Sequence, residues 1–180
     1  QEVIVLDRPN PNGMYVDGPI LEERYKSGVG AIPVPVVHGL TMGEIARMAV
    51  GEGWTGACEL LVVPCRNYTH QTRYELPIPP SPNLPTLRAI YLYPSVCLFE
   101  GTVLSVGRGT DRPFEVYGHP DLPDELFGYS FTPRPTAGAK EPLWNGQLCH
   151  GRDLSQFPYE DILRRGFTLD YLIEAYRVLV

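Results

Sequence analysis

The stretch Tyr93–Pro120 concentrates side chains that are able to do chemistry. Glu100, Arg108, Arg112 and His119 lie in it among glycines and prolines, which neither continue a helix nor fill a core. A carboxylate, two guanidinium groups and an imidazole on a proline-stiffened loop are suited to bind polar ligands or transfer protons. A solvated surface connection is the alternative for any single charge here. The clustering favours part of a site.

A second stretch of the same character, Asn67–Pro85, lies upstream. Within it, the Tyr68 ring offers a face on which a sugar can stack. The planar donor fork of Arg73 is able to grip a carboxylate in two hydrogen bonds, and His70 adds an imidazole. The alternative is that Tyr68 covers the edge of a core and Arg73 pairs with a surface acid. Two such loops predict one binding region.

Three more candidates lie next to predicted elements. Arg8 and Asn10 follow a strand predicted over Glu2–Leu6, and ligands of open α/β sheets bind beyond the carboxyl ends of strands. A turn stabilised by Asx hydrogen bonds is the alternative. His38 precedes a predicted helix N-terminus, where free backbone N–H groups suit an anion. A packed loop histidine is the other interpretation.

The elements that must position these groups are short. Glu2–Leu6 and Glu59–Val63 are continuous apolar runs typical of buried strands. Thr41 and Glu44 form a capping-box pattern that opens an amphipathic helix running through about Ala49. Strands alternating with helices and long loops predict an α/β fold, with α+β as the alternative.

The middle of the chain contains a predicted helix within Leu84–Phe99 that is bent or begun near Pro94 and presents Glu100 at its end. Thr102–Val106 is predicted to be a strand. Apolar residues at helical spacing after Thr168, which is able to cap a helix, predict a final helix.

Composition excludes several functional classes. With 180 residues, 43% hydrophobic and 20% charged, the chain is long and apolar enough to bury a core. A formal net charge of -6 disfavours a nucleic-acid partner, since binding to the phosphate backbone needs dense Lys and Arg. No apolar stretch is long enough to span a bilayer.

Metal binding is disfavoured by spacing. The four cysteines lack the close pairs of zinc sites, so we predict neither a metal nor another cofactor. A metal-dependent hydrolase that uses His38, His70 and His119 stays an alternative, although these histidines also lack close ligand spacing.

The ends of the chain suggest a longer protein. The predicted strand Glu2–Leu6 begins almost at the first residue, and the predicted final helix has no stop signal before Val180. A buried strand needs neighbours, so we expect these residues to be part of a larger polypeptide.

Several motifs occur in a specific order along almost the whole chain. They are LDRPNPNG, VPVVHGLTMGEIARM, VPCRNYTHQTRYELPIPPSPNLP, YPSVCLFEGTVLSVGRGTDRPFEVYGHP and FTLDYLIEAYR. Together they resemble the second half of the bacterial exo-β-N-acetylmuramidase (NamZ) family.

The resemblance implies a glycoside hydrolase that releases N-acetylmuramic acid from the non-reducing end of peptidoglycan fragments. It implies a Rossmann-like N-terminal half and a smaller C-terminal half with a cleft between them. Residues 1–12 are then the last strand and loop of the N-terminal half, and residues 13–180 the C-terminal, cleft-forming domain. The family's proposed catalytic glutamate lies in a Pro-Glu-His-Gly run that this chain lacks. We therefore expect the missing N-terminal half to be a partner, and the chain alone to be inactive.

The resemblance also gives the candidate residues roles. Glycoside cleavage commonly uses two carboxyl groups, and Glu100 is the catalytic candidate here, with a structural glutamate at a helix end as the alternative. Arg73 and Arg108 are candidates for the lactyl carboxylate of N-acetylmuramic acid. The remaining candidates for substrate binding are Arg8, Asn10, His38, Tyr68, His70 and His119. A peptidoglycan or sugar binding module without turnover is the competing function. Since peptidoglycan lies outside the cytoplasmic membrane, the expected location is periplasmic or secreted.

Overall fold

The computed structural model describes all residues, 1–180, with seven strands and five α-helices. The chain forms two compact units, Gln1–Glu75 and Leu76–Val180. No helix in it is long and apolar enough to cross a bilayer.

The first unit is built on a parallel pair of strands joined through a helix. Its elements are β1 (Glu2–Leu6), β2 (Asp17–Ile20), β3 (Pro35–Val37), α1 (Met42–Gly51) and β4 (Glu59–Val63). β1 and β4 pair in parallel along their whole length, which requires the long crossover that contains α1. β2 and β3 form a separate antiparallel pair with an irregular register. The strands predicted over Glu2–Leu6 and Glu59–Val63 are confirmed as β1 and β4 with these bounds.

The start of α1 follows the predicted capping box. The hydroxyl of Thr41 accepts a hydrogen bond from the backbone N–H of Glu44, and the Glu44 carboxylate accepts one from the N–H of Thr41 at 2.8 Å. Two N–H groups that lack partners inside the helix are thereby satisfied. The helix continues to Gly51, slightly beyond the predicted end.

One face of the β1–β4 pair is covered and the other is not. Val62 is 9% exposed on the face next to α1. The opposite face carries apolar side chains that are about half exposed: Ile4 56%, Leu6 60%, Leu61 53% and Val63 47%. The prediction that β1 is buried is therefore wrong within these 180 residues. Parallel strands are normally covered on both faces, so this surface is unusual.

The second unit combines a small antiparallel sheet with helices. Its elements are α2 (Leu87–Val96), a 3-10 helix (Cys97–Gly101), β5 (Val116–His119), α3 (Asp124–Phe127), β6 (Tyr129–Phe131), β7 (Cys149–Asp153), α4 (Tyr159–Arg165) and α5 (Asp170–Leu179). The strand order is β5–β7–β6, and both pairings are antiparallel. The largest fully buried side chains include Phe99, Phe114, Tyr117, Leu122 and Leu154.

The helix predicted near Pro94 is confirmed as α2, which contains that proline and has Thr86 as its N-cap. The 3-10 helix that follows includes Glu100, as expected for the end of the predicted helix.

The strand predicted over Thr102–Val106 is wrong. Only Ser105 pairs, in a single bridge with Gly118. The Thr102 hydroxyl donates to the carbonyl of Phe99 and accepts from the N–H of Leu104, so local bonds replace a strand ladder.

Both units combine helices with small sheets. This mixture is consistent with the predicted α/β fold and with its α+β alternative. The first unit contains one parallel and one antiparallel pair of strands, and the second contains an antiparallel sheet. The predicted division into residues 1–12 and 13–180 refers to a larger protein and stays a prediction.

Candidate functional site

In the first unit, Asp7 connects the carboxyl end of β1 to the N-terminus of α1. Its carboxylate accepts hydrogen bonds from the Thr41 hydroxyl at 2.7 Å, the Gly43 N–H at 2.8 Å and the Arg8 N–H at 2.9 Å. Burial raises the pKa of Asp7, but these three donors outweigh it and the pKa lies below its ordinary value. Asp7 is absent from the predicted site, although an aspartate directly after a strand was an available signal.

Asn10 and Tyr68 lock the loops after β1 and β4 to each other. The Tyr68 hydroxyl donates to the Asn10 carbonyl at 3.0 Å and accepts from the Asn10 N–H at 3.2 Å. The Asn10 side chain donates to the carbonyl of Leu40 at 2.9 Å. A Cβ added to Gly13 would lie 2.2 Å from the Tyr68 hydroxyl oxygen, so the close contact needs a glycine. The two predicted residues are thus brought together.

His70 lies between two hydrogen-bond acceptors. Its Nε2 is 2.9 Å from the Glu44 carboxylate and its Nδ1 is 3.0 Å from the carbonyl oxygen of Gly13. Both contacts require a ring N–H, so this geometry stabilises the doubly protonated imidazolium. The hydrogen bond to Glu44, and then the one to Gly13, raise the pKa of His70. His70 therefore works as a charged clasp between its loop and α1.

This clasp predicts a dependence of stability on pH. A pKa that is raised in the folded state gives stability that is fully present below the unfolded pKa, about 6.5, and is lost as pH rises through the folded value. We expect the difference in free energy of unfolding between wild type and His70→Gln to shrink as pH rises above about 6.5 and through the raised pKa of the folded state. Because the His70 side chain is 49% exposed, the effect should stay below about 1 kcal/mol. Urea unfolding at several pH values measures it.

His38→Gln is the matched control, because burial lowers the pKa of His38. The contribution of His38 to the free energy of unfolding should be present above the unfolded pKa and lost as pH falls. This trend is opposite to the one expected for His70. Parallel stability curves for wild type and His70→Gln across this window would rule out the clasp.

His38 has different partners from His70. Its Nδ1 accepts the N–H of Leu40 at 3.0 Å, and its ring lines a cleft of about 620 Å³ with mainly apolar residues, including Ile20, Val36 and Ile45. The neutral ring is favoured there. Leu40 connects His38 to Asn10, because its N–H donates to His38 and its carbonyl accepts a hydrogen bond from the Asn10 side chain.

Arg8 and Arg73 are both exposed. The exposed guanidinium of Arg8 donates to the carbonyls of Leu6 and Asp7 at the end of its own strand. Arg73 is exposed on the loop that carries His70.

In the second unit, Glu100 and Arg108 form an ion pair at 2.5 Å. Their side chains are 34% and 38% exposed, so a ligand is able to reach both. The guanidinium also lies 5.2 Å from the centre of the Phe114 ring, within the range of a cation–π contact. The Nε of Arg108 is buried without a hydrogen-bond partner in the protein, which is uncommon. The structure thus joins two of the predicted residues in one partly open pair.

His119 is largely covered. It ends β5, its side chain is 8% exposed, and its Nδ1 accepts the N–H of Asp121 at 3.0 Å. The Trp144 ring packs edge-to-face on it with 4.6 Å between ring centres. The Trp144 indole donates to the carbonyl of Val103, which follows the Glu100 turn.

Comparisons with known proteins agree on one family. A sequence profile described as "Exo-beta-N-acetylmuramidase NamZ, N-terminal" matches residues 1–88, and its C-terminal counterpart matches residues 91–178. The peptidoglycan beta-N-acetylmuramidase NamZ of Bacillus subtilis strain 168 is 39% identical over 165 residues, covering 84% of this chain and 40% of that protein.

Two crystal structures share the fold. A DUF1343 family protein of Bacteroides fragilis is 58% identical with a TM-score of 0.96, covering 99% of this chain and 51% of that one. A second DUF1343 family protein of the same organism is 24% identical with a TM-score of 0.71, covering 99% of this chain and 52% of that one. The chain therefore spans about half the length of these relatives or less.

Proposed function

The chain belongs to the exo-β-N-acetylmuramidase NamZ family, and on this premise we propose that it is part of a cell-wall glycoside hydrolase acting on peptidoglycan fragments. In detail, the enzyme releases N-acetylmuramic acid from the non-reducing end. The observation that carries the proposal is the consecutive match of the two family profiles, together with a relative named as a peptidoglycan beta-N-acetylmuramidase.

The Glu100–Arg108 pair supplies chemistry that suits this reaction. Glycoside hydrolysis passes through a positively charged sugar, which a carboxylate stabilises, and a second carboxyl group protonates the leaving oxygen. Glu100 already accepts a guanidinium hydrogen bond, so we assign it the role of base or cation stabiliser. The general acid belongs to the Pro-Glu-His-Gly run of the family, which this chain lacks. Arg108 is placed to bind a substrate carboxylate through charge-assisted bonds.

The uncovered face of β1 and β4 supports a partner segment. Ile4, Leu6, Leu61 and Val63 leave an apolar surface on a parallel pair of strands, and such pairs normally belong to larger covered sheets. The Bacillus relative is more than twice as long as the matched region. We assign the covering elements to a Rossmann-like N-terminal half of the same protein.

The substrate sets the compartment. Peptidoglycan is outside the cytoplasmic membrane, so the proposed enzyme works in the periplasm or as a secreted protein. The competing function is a peptidoglycan or sugar binding module without turnover.

Hydrolysis of a chromogenic β-N-acetylmuramide tests the proposal. The complete gene product is expected to release the chromophore, and the 180-residue chain is expected to release none. The matching β-N-acetylglucosaminide, which lacks the lactyl carboxylate, should react more slowly. A complete gene product that retains muropeptides on a column but hydrolyses nothing would establish the binding module instead.

A further inference from the structure

Tyr93 belongs to the surroundings of the Glu100–Arg108 pair, although it is absent from the predicted site. It lies in α2, and Cys97 and Glu100 follow it after four and seven residues. In an α-helix that continues as a 3-10 helix, these spacings return to the same face. The three side chains therefore form one row, whereas Phe99 points away from it and is fully buried.

Tyr93 and Arg108 pack on the same phenyl ring. The Tyr93 ring contacts the ring of Phe114, with 5.0 Å between ring centres and 54° between the planes. The centre of the Phe114 ring is also 5.2 Å from the guanidinium carbon of Arg108, whose Nη2 donates to Glu100 at 2.5 Å. Burial raises the pKa of Tyr93, and Glu100 and Arg108 shift it in opposite directions. The hydroxyl of Tyr93 is therefore within electrostatic reach of both charges.

Phe114 holds these two side chains from an uncommon backbone conformation. Its φ is 61°, a left-handed value that is rare for a bulky residue. The Phe114 N–H donates to the carbonyl of Val106 at 2.7 Å and the residue is 1% exposed, so its surroundings fix this conformation. Backbone conformations of this kind cluster at ligand sites. The ring is thereby a rigid base for Tyr93 and Arg108.

Arg108 is also fixed through its own backbone. Gly107 and Gly109 on either side of it have φ values of 76° and 83°. A Cβ at Gly107 would lie 2.8 Å from the carbonyl oxygen of Arg112. A Cβ at Gly109 would lie 2.6 Å from the carbonyl oxygen of Arg134. Only glycine fits both positions without displacing backbone, so the turn holds Arg108 in one position.

The outer side of this arrangement is open and amphipathic. Tyr93 is 37% exposed, and the side chains of Arg108 and Glu100 are 38% and 34% exposed. An exposed aromatic ring beside a guanidinium offers one ligand both an apolar surface and a partner for a carboxylate. A sugar that carries a carboxylate has the matching pattern, because the C–H groups of its ring form an apolar face and its acid is an anion.

We propose that Tyr93 is a substrate-binding residue of the Glu100–Arg108 site, where its ring stacks on the C–H face of the sugar whose carboxylate pairs with Arg108. This assignment rests on the proposed function, which makes N-acetylmuramic acid the ligand. Arg108 then recognises the lactyl group that distinguishes this sugar, whereas Tyr93 recognises the ring that it shares with N-acetylglucosamine. The two side chains therefore have different effects on selectivity.

Binding of free sugars to the complete gene product tests this division. Saturation-transfer difference NMR gives dissociation constants for N-acetylmuramic acid and N-acetylglucosamine, and wild type should bind the first more tightly. Tyr93→Leu should weaken both about fivefold to tenfold, so that their ratio is kept. Tyr93→Phe, which retains the ring, should stay within about twofold of wild type. Arg108→Met should weaken only N-acetylmuramic acid.

The wild-type spectra test the stacking without any variant. Irradiation of the aromatic protons should saturate the ring protons of N-acetylmuramic acid more than its lactyl methyl group. The opposite order, or no binding of this sugar by wild type, would overturn the proposal.

Tyr176→Leu is the matched control, because Tyr176 is an exposed tyrosine on α5 of the same unit and should affect neither dissociation constant. Unchanged affinities in Tyr93→Leu would overturn the proposal. A loss confined to N-acetylmuramic acid would also overturn it, since Tyr93 would then only support Arg108. Because binding needs no turnover, a complete gene product that shows the expected pattern but hydrolyses nothing would overturn only the proposed glycosidase activity.

Discussion

Replacing Gly151 with alanine is expected to unfold the second unit. An added Cβ would lie 1.8 Å from the carbonyl oxygen of Tyr117 and 2.7 Å from the Cα of Gly118. Both are backbone atoms of β5, so no side chain is able to rotate away. Gly151 is also paired with Tyr129 of β6, which fixes it in the central strand. We expect a loss of roughly 3–5 kcal/mol, measured by urea unfolding followed by tyrosine and tryptophan fluorescence.

Gly101→Ala is the control for this substitution. A Cβ at Gly101 meets no atom within 4 Å, and the residue is exposed at the end of the 3-10 helix. Its free energy of unfolding should stay within about 0.5 kcal/mol of wild type. If Gly151→Ala unfolds at the same urea concentration as this control, the register between β5 and β7 is not the one described.

Elements with local signals were predictable from the sequence. The apolar runs of β1 and β4 and the Thr41–Glu44 capping box each lie within a few residues, and all three are found where expected. β5 was missed because it lies within FEVYGHP, where a glycine and a proline interrupt any alternating pattern. Its pairing with β7 joins distant parts of the chain, which local propensity does not encode.

The same distinction applies to the candidate site. Glu100 and Arg108 are 8 residues apart and were predicted within one stretch, although their direct contact was not. His70 and Glu44 are 26 residues apart, so nothing local showed that they form an ion pair. The contacts of Asp7 were not predictable, because two of its three donors are backbone N–H groups, whose positions depend on the fold.

Glu100→Gln in the complete gene product is expected to lower kcat for the β-N-acetylmuramide at least about 100-fold. The amide keeps the size of the side chain and still accepts a hydrogen bond from Arg108, but it carries no negative charge for the developing sugar cation. The KM should change little, because the lost interaction is made in the transition state. Steady-state kinetics over a range of substrate concentrations separates the two constants.

Stability decides between this role and a purely structural glutamate. A partly exposed ion pair contributes only about 0–1 kcal/mol to stability. Loss of the pair in Glu100→Gln therefore does not unfold the protein, and a 100-fold loss of activity cannot result from unfolding.

Arg108→Met breaks the same pair but leaves the Glu100 carboxylate in place. If Arg108 binds the lactyl group, this substitution should raise KM more than it lowers kcat. Glu141→Gln, at an exposed position of the same unit, should leave both constants unchanged. Equal, small effects of Glu100→Gln and Arg108→Met on kcat would reduce Glu100 to a partner of Arg108 and move the catalytic carboxylates out of these 180 residues.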